Sequence, residues 1–406
     1  MNKLRTLFSS KGKKDAELFH GKETKSIPLK NVKPWSMEVV GAYTGPKCGF
    51  TNLDLNTEDG PSRESVAGSN NWNMPTEFSY GISLSLYETL SPRNGASQGV
   101  VGDPIADVFG VLTLENSAIL ALADGVGWGK KPRLAARCAV HGVMQHMAAN
   151  MAEIRASPNT HCIARLLLEA VTEKAHQLIL DKDATLSTLS AAVLCELEGE
   201  DHAWGLVTVT VGDSPVYVYR PHEQKVTEVS VGSHQHDGQR DMHMSGGTVG
   251  PSKGKDPDLS NLSVAYMSLC PGDIVFCTSD GISDNFVSSV MDPVISTHAA
   301  PTPACVVSKT APPAVQQCCE SAVHMTEVIQ KHHQMVGKYL SAQSLCACLV
   351  NHVAILTEQK RLCHSILDNT SPDFRTLLKQ VPGKLDHATI VAFQVDVHHK
   401  IVTTTL

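Results

Sequence analysis

Leu120-Ala121-Leu122-Ala123-Asp124-Gly125-Val126-Gly127-Trp128-Gly129 is the stretch on which the fold turns. Residues 116–123 are too apolar for a surface loop and too short for a buried helix, so they read as a core strand. That strand delivers Asp124 into a turn rich in glycine, and Pro132 and a long helical pattern follow. A carboxylate at a strand end, beside backbone that only glycine leaves approachable, suits a metal or phosphate site. The competing reading is an ordinary Asp-Gly turn, which is common at strand ends.

Working outward, residues 107–112 and 118–123 form a hairpin through a tight turn near Glu115-Asn116. In an antiparallel pair Asp107 and Asp124 then lie at the same end of the sheet. Like-charge repulsion penalises that pairing unless a cation sits between them. Residues 80–87 alternate at period two and read as a strand. Residues 132–151 and 162–180 carry helical spacing, the second with an apolar stripe of Ile163, Leu166, Leu167, Ala170, Val171, Ala175 and Leu178. More strands are predicted at 187–197, 203–211, 216–219, 225–229, 262–269 and 273–279. The last of these ends in Thr278-Ser279-Asp280-Gly281, again an aspartate and a glycine. Residues 286–380 are mostly helical, and a closing strand at 388–395 is entered through Leu385-Asp386-His387. Strands joined by tight turns, alternating with blocks of long helices, predict an α/β (α+β) layered sandwich. Its sheets are antiparallel, with helix pairs on their outer faces.

With 42% hydrophobic and 18% charged residues, the chain belongs among globular proteins. A net charge of −7 gives no electrostatic case for nucleic acid. There is no apolar run long enough to span a bilayer, no secretory pattern at the start and no glycine at position 2 for myristoylation. The twelve cysteines form no CxxC pair and read as reduced, mostly buried thiols, which points to the cytoplasm or the nucleus. His234, His236 and His243 sit in a polar loop, where a metal site is a minor alternative. Residues 1–76 are polar, with early basic residues and little periodicity, and are expected to be largely disordered. The domain is expected over 77–398, with a long helical insertion at about 286–385.

The ordered set Asp107, Asp124, Asp280 and Asp386 resembles the metal-dependent protein phosphatase family, the PP2C class of serine/threonine phosphatases. Ala123-Asp124-Gly125-Val126-Gly127 is similar to that family's DGxG motif. Residues 185–192 resemble its GTTA-type strand, and Val211-Gly212-Asp213-Ser214 its VGDSR turn. Pro271-Gly272-Asp273 followed by Ser279-Asp280-Gly281 resembles its PGD…SDG segment, and Asp386-His387-Ala388-Thr389 its closing DN motif. The resemblance implies a four-layer αββα sandwich of two antiparallel sheets flanked by helix pairs. It also implies two ions, Mg²⁺ or Mn²⁺. Asp124, Asp280 and Asp386 would hold the first. Asp124 and the Gly125 carbonyl would help hold the second, with Asp107 a further ligand. Metal-activated water would then attack a phosphoserine or phosphothreonine of a phosphoprotein substrate.

The sequence departs from that pattern at definite places. Ala106 stands where the family commonly has glutamate beside Asp107, which weakens the second metal position, and Asp103 is the nearby carboxylate. Val126 replaces the histidine of DGHG, Pro215 the arginine of VGDSR and His387 the asparagine of the closing motif. The usual phosphate-binding arginine is missing, leaving Arg93, Lys130 and Lys131 as candidate phosphate contacts. Two functions follow from different classes. One is a metal-dependent phosphoprotein phosphatase. The alternative is a catalytically impaired pseudophosphatase that serves as a regulatory or scaffolding protein for a protein partner.

Overall fold

Alternation along the last strand shows how the layers are stacked. Val391, Phe393 and Val395 enter one buried cluster, whereas Ala388, Ile390 and Ala392 enter another. Successive side chains of a strand point to opposite faces, so a strand buried on both faces lies inside a sandwich. Residues 216–219 divide the same way, with Val216 and Val218 in the first cluster and Tyr217 and Tyr219 in the second.

The structure is a computed structural model that describes residues 17–19, 24–45, 47–49, 72–87, 102–199, 202–230, 245–293, 320–337, 340–366 and 378–395. β1 (Glu17–Phe19) and β2 (Thr24–Ser26) form a two-stranded ribbon. Seven strands make the larger antiparallel sheet: β3 (Val39–Thr44), β4 (Asn73–Met74), β6 (Asp107–Leu114), β7 (Ser117–Asp124), β8 (Leu189–Glu196), β9 (Trp204–Val211) and β14 (Ser263–Leu269). Their order is β14-β9-β8-β7-β6-β3-β4. The second sheet runs β11-β10-β15-β16-β5, also antiparallel. It contains β5 (Ser79–Ser85), β10 (Val216–Arg220), β11 (Lys225–Glu228), β15 (Ile274–Thr278) and β16 (His387–Gln394). β12 (Thr248–Lys253) and β13 (Asp256–Asp258) form a further ribbon.

Helices cover both outer faces. α1 (Lys130–Ala149), α2 (Met151–Ala156), α3 (Thr160–Glu169) and α4 (His176–Asp181) lie on the larger sheet, where Leu134, Val140, Met144, Ile163, Leu166 and Leu167 join the strand side chains. Between α3 and α4 the chain runs through a π-helical segment, Ala170–Ala175. α1 crosses that segment so closely that a Cβ on Gly142 would stand 2.8 Å from Ala175 Cα. After β15 come two short helical turns, α5 (Asp280–Ser283) and the 3₁₀ turn Asp284–Phe286, then α6 (Ser288–Met291). α7 (Glu320–Val336) and α8 (Ala342–Leu356) cover the smaller sheet through Ala322, Met325, Ile329, Leu345, Leu349 and Val353, and α9 (Glu358–Ile366) follows. The architecture is therefore the four-layer αββα sandwich, with antiparallel sheets.

One boundary differs from the sequence expectation. Within 1–76, residues 27–45 are built into the domain rather than preceding it. β3 pairs with β6, and Ile27, Val32, Trp35 and Ala42 are buried in the main core. The Val32 N–H donates to the Pro158 carbonyl at 2.8 Å and the Thr160 N–H to the Lys30 carbonyl at 3.0 Å, pinning this segment to the α2–α3 turn. The polar composition of 1–76 as a whole hides these few apolar anchors.

Candidate metal centre

The strand register sets the first two carboxylates. Asp107 opens β6 and Asp124 closes β7, and they are direct cross-strand partners. The Asp124 turn is pinned from several sides. Its N–H donates to Thr188 Oγ1 at 3.1 Å, and its carbonyl accepts from the Thr188 N–H at 2.8 Å and from Ser187 Oγ at 2.9 Å. The Gly125 N–H donates to the Ala106 carbonyl at 3.3 Å, and a Cβ on Gly125 would lie 2.2 Å from the Pro132 carbonyl oxygen. Only glycine fits that approach.

The smaller sheet contributes Asp280 and Asp386. Thr278 pairs with Ile390, so the end of β15 and the start of β16 lie side by side. The Ser279 N–H donates to the Thr389 carbonyl and the Thr389 N–H to Ser279 Oγ, both at 2.9 Å. Any Cβ on Gly281 would come 1.9 Å from the His387 carbonyl oxygen, so the Asp280 turn packs directly on β16. His387 ties the two sheets together. Its Nδ1 accepts from the Ala106 N–H at 3.3 Å, which places the ring proton on Nε2, donating to the Gly102 carbonyl at 2.6 Å. Its own N–H donates to Asp386 Oδ1 at 2.9 Å.

Lys384 is the residue that sequence reading did not single out. Its ammonium donates to Asp280, to Asp284 at 2.9 Å and lies 3.2 Å from Asp386. Asp284 is fully buried, and the Lys384 side chain is 21% exposed. The lysine backbone is held by an amide: its N–H donates to Asn285 Oδ1 at 2.8 Å, and Asn285 Nδ2 donates to its carbonyl at 3.0 Å. Before it, Gly383 takes a positive φ of 91° and donates to the Val290 carbonyl at 2.9 Å, while Lys360 donates to the Gly383 carbonyl.

The electrostatics follow from many carboxylates around one ammonium. Burial pushes the Asp107 carboxyl up, and the charge of Asp280 adds to it. Asp124 is driven well above the ordinary carboxylate range by burial and then by Asp107, Asp280 and Asp386. Asp386 rises to about 6, through burial and then Asp280, although Lys384 pulls it the other way. Burial alone would lower the Lys384 ammonium, but Asp280, Asp284 and Asp386 more than reverse this and hold it charged.

The donor chemistry fits a hard divalent cation, because the cluster offers oxygen only, and burial and like charge raise Asp107, Asp124 and Asp386. Asp107 is fully buried, and hydrogen bonds from the Ser279 and Thr389 side chains favour its charged form. The present arrangement, however, is organised around Lys384. Among the described residues no three His, Cys, Asp or Glu side chains are gathered at metal-ligand spacing.

The other predicted residues are placed differently. Lys131 donates to Asp183 at 2.7 Å in an exposed ion pair, and Lys130 is exposed at the start of α1. Asp103 is exposed as well, while Ala106 is fully buried. Arg93 and the His234, His236 and His243 set lie outside the described residues. Trp128, 49% exposed, lies over this end of the molecule, with its ring 5.2 Å from His387 and 4.8 Å from Tyr87.

A family model described as protein phosphatase 2C matches residues 94–308. That span holds Asp107, Asp124 and Asp280 and stops before Lys384 and Asp386. A PP2C-like domain-containing protein of Drosophila melanogaster, CG9801, is 42% identical over 238 residues, covering 58% of this chain and 32% of that protein. The chain thus spans about a third of this relative's length. Among solved structures, a serine/threonine phosphatase of S. agalactiae covers 79% of this chain and 100% of its own at 13% identity and a TM-score of 0.39. The catalytic domain of the phosphatase PstP, in complex with two manganese ions, covers 78% of this chain and 98% of its own at 16% identity and a TM-score of 0.37.

Proposed function

Because this chain belongs to the protein phosphatase 2C family, we propose that it is a metal-dependent hydrolase of phosphoserine or phosphothreonine in proteins. The observation that carries this reading is that strand register and mutual charge effects set Asp107, Asp124, Asp280 and Asp386 at one end of the sandwich, from strands far apart in sequence, although no three of them stand at metal-ligand spacing. Asp124, Asp280 and Asp386 would hold a Mg²⁺ or Mn²⁺ ion, with Asp107 and the Gly125 carbonyl toward a second. A cation there would neutralise charge on the phosphoryl oxygens and activate water for in-line attack.

The chain's own residues supply position. Thr188 and Ser187 fix the Asp124 backbone, His387 joins the Asp386 strand to the segment before Asp107, and Gly281 lets the Asp280 turn sit on β16. Ala106 brings no carboxylate, so Asp107 and Asp124 face the second position with fewer partners.

A second reading, a catalytically impaired regulatory or scaffolding protein, is favoured by a specific observation: Lys384 already forms ion pairs with Asp280 and Asp386 of that set, and with Asp284 beside them. The deciding measurement is hydrolysis of an aryl phosphate and of a phosphopeptide in millimolar Mn²⁺. Turnover that vanishes in both Asp124→Ala and Asp280→Ala supports the enzyme. No turnover, with a melting temperature that Mn²⁺ leaves unchanged, supports the scaffold.

A further inference from the structure

We propose that Lys384 is the built-in cation of this cluster, and that a divalent metal enters the Asp280–Asp386 position only by displacing its ammonium. The inference rests on the metal-site reading of the same carboxylates, and it adds the group that competes for them. Its first support is geometry: one ammonium reaches Asp280, Asp284 and Asp386 together, within hydrogen-bonding distance of the first two and 3.2 Å from the third. A metal bound by Asp280 and Asp386 would need the oxygens that the ammonium now holds. Two cations at that separation repel strongly in a site shielded from water, so the occupants exclude each other.

The second support is that the lysine is held from its root. Both backbone polar groups of Lys384 are paired by the Asn285 side chain, and Asn285 also donates to the Gly281 carbonyl at 2.8 Å. Asn285 is fully buried and lies in the same short helical run as Asp280 and Asp284. The residue that presents the ammonium is therefore fixed by the turn that presents its acceptors. Gly383, with its left-handed backbone and a Thr357 methyl 2.7 Å from where a Cβ would stand, sets the chain direction just before it.

The third support is charge balance. One ammonium faces three contacting carboxylates, with Asp107 and Asp124 adding to the same field. A divalent ion would balance that set better, and the four-carbon lysine stem, 21% exposed, is long enough to turn its head toward water while its backbone stays in place. Metal binding then becomes an exchange. The apparent dissociation constant is raised by the fraction of molecules in which the lysine is seated.

The test uses the full chain, with Mn²⁺ binding measured by loss of the free-ion electron paramagnetic resonance signal, for the wild type, Lys384→Met and Lys384→Gln. Both variants are expected to bind Mn²⁺ about tenfold more tightly or better, and Mn²⁺ is expected to raise their melting temperatures more than that of the wild type. A parallel measurement needs no variant: acetylation of Lys384, followed by mass spectrometry, is expected to increase when Mn²⁺ is added to the wild type. Equal or weaker Mn²⁺ binding by the variants, or unchanged Lys384 labelling at saturating Mn²⁺, overturns the proposal. Variants that bind Mn²⁺ tightly yet hydrolyse nothing leave Lys384 as the competitor and defeat only the phosphatase reading. Wild-type chain that hydrolyses substrate and binds Mn²⁺ as tightly as the variants does the reverse.

Discussion

At the scale of single residues, the charged centre separates what a sequence can reveal from what it cannot. Asp124, Asp280 and Asp386 stand out in the sequence because each ends or precedes an apolar strand, two with a glycine after them, and because the order of the set is specific. Lys384 was not legible. It is one lysine in a Pro-Gly-Lys turn, and its destination depends on the Asn285 side chain 99 residues earlier in the sequence. Its removal should show how much the cluster depends on it. Taking one partner from a buried ion pair typically costs about 3–5 kcal/mol, because the remaining charges stay uncompensated. Lys384→Met is therefore expected to lose stability on that order in metal-free buffer, read by urea unfolding, and to regain part of it with Mn²⁺. A metal-free midpoint equal to that of the wild type would mean that the ion pairs contribute nothing net. Asn285→Ala, which frees the lysine backbone but leaves its charge, is expected to fall between the two.

At the scale of elements, strands were read more surely than their surroundings. β6, β7, β8, β9, β15 and β16 are short and apolar, so their positions followed from the pattern, and the hairpin register placed Asp107 opposite Asp124 as expected. β3 carries no clear strand signal, because Val39–Thr44 is only half-buried in pattern and contains Gly41, inside a polar stretch. The helical segments show a different control, one that depends on proton balance. At the start of α4, His176 is buried, and its Nδ1 accepts from the Gly250 N–H at 3.1 Å. Burial lowers its proton affinity below the ordinary histidine value, against the opposing pull of the Lys255 backbone and Asp256. The folded state therefore keeps this ring neutral where the unfolded chain would protonate it. The sign is fixed: stability is full above the unfolded value of about 6.5 and falls as pH drops below it, toward the lower folded value. His176→Asn, which keeps an acceptor for Gly250, is expected to flatten the decline in melting temperature between neutral and mildly acidic pH. An unchanged slope would assign that decline to other groups.

At the scale of the whole molecule, the two sheets share one core while the carboxylates come from both of them. The site is therefore a consequence of sheet packing, with His387 bridging the sheets and Lys384 joining two turns of the smaller one. Anything that loosens the larger sheet should loosen the site, and that makes the N-terminal boundary a functional matter. β3 covers an otherwise open side of β6, the strand that begins with Asp107. Ile27, Val32 and Trp35 fill the core beside it. Burial of large apolar side chains is worth about 1.5–3 kcal/mol each, more for tryptophan, so losing these three would remove on the order of 6–10 kcal/mol. That rivals the total stability of an ordinary domain, about 5–15 kcal/mol. A chain beginning at residue 77, where composition alone would start the domain, is expected to aggregate or to lack a cooperative melting transition, whereas one beginning at residue 24 should melt cooperatively. Size-exclusion chromatography and calorimetry on the two would decide. If the shorter chain melted like the longer one, β3 would be an accessory to the sandwich, and the Asp107 end of β6 would be held by β7 and the smaller sheet alone.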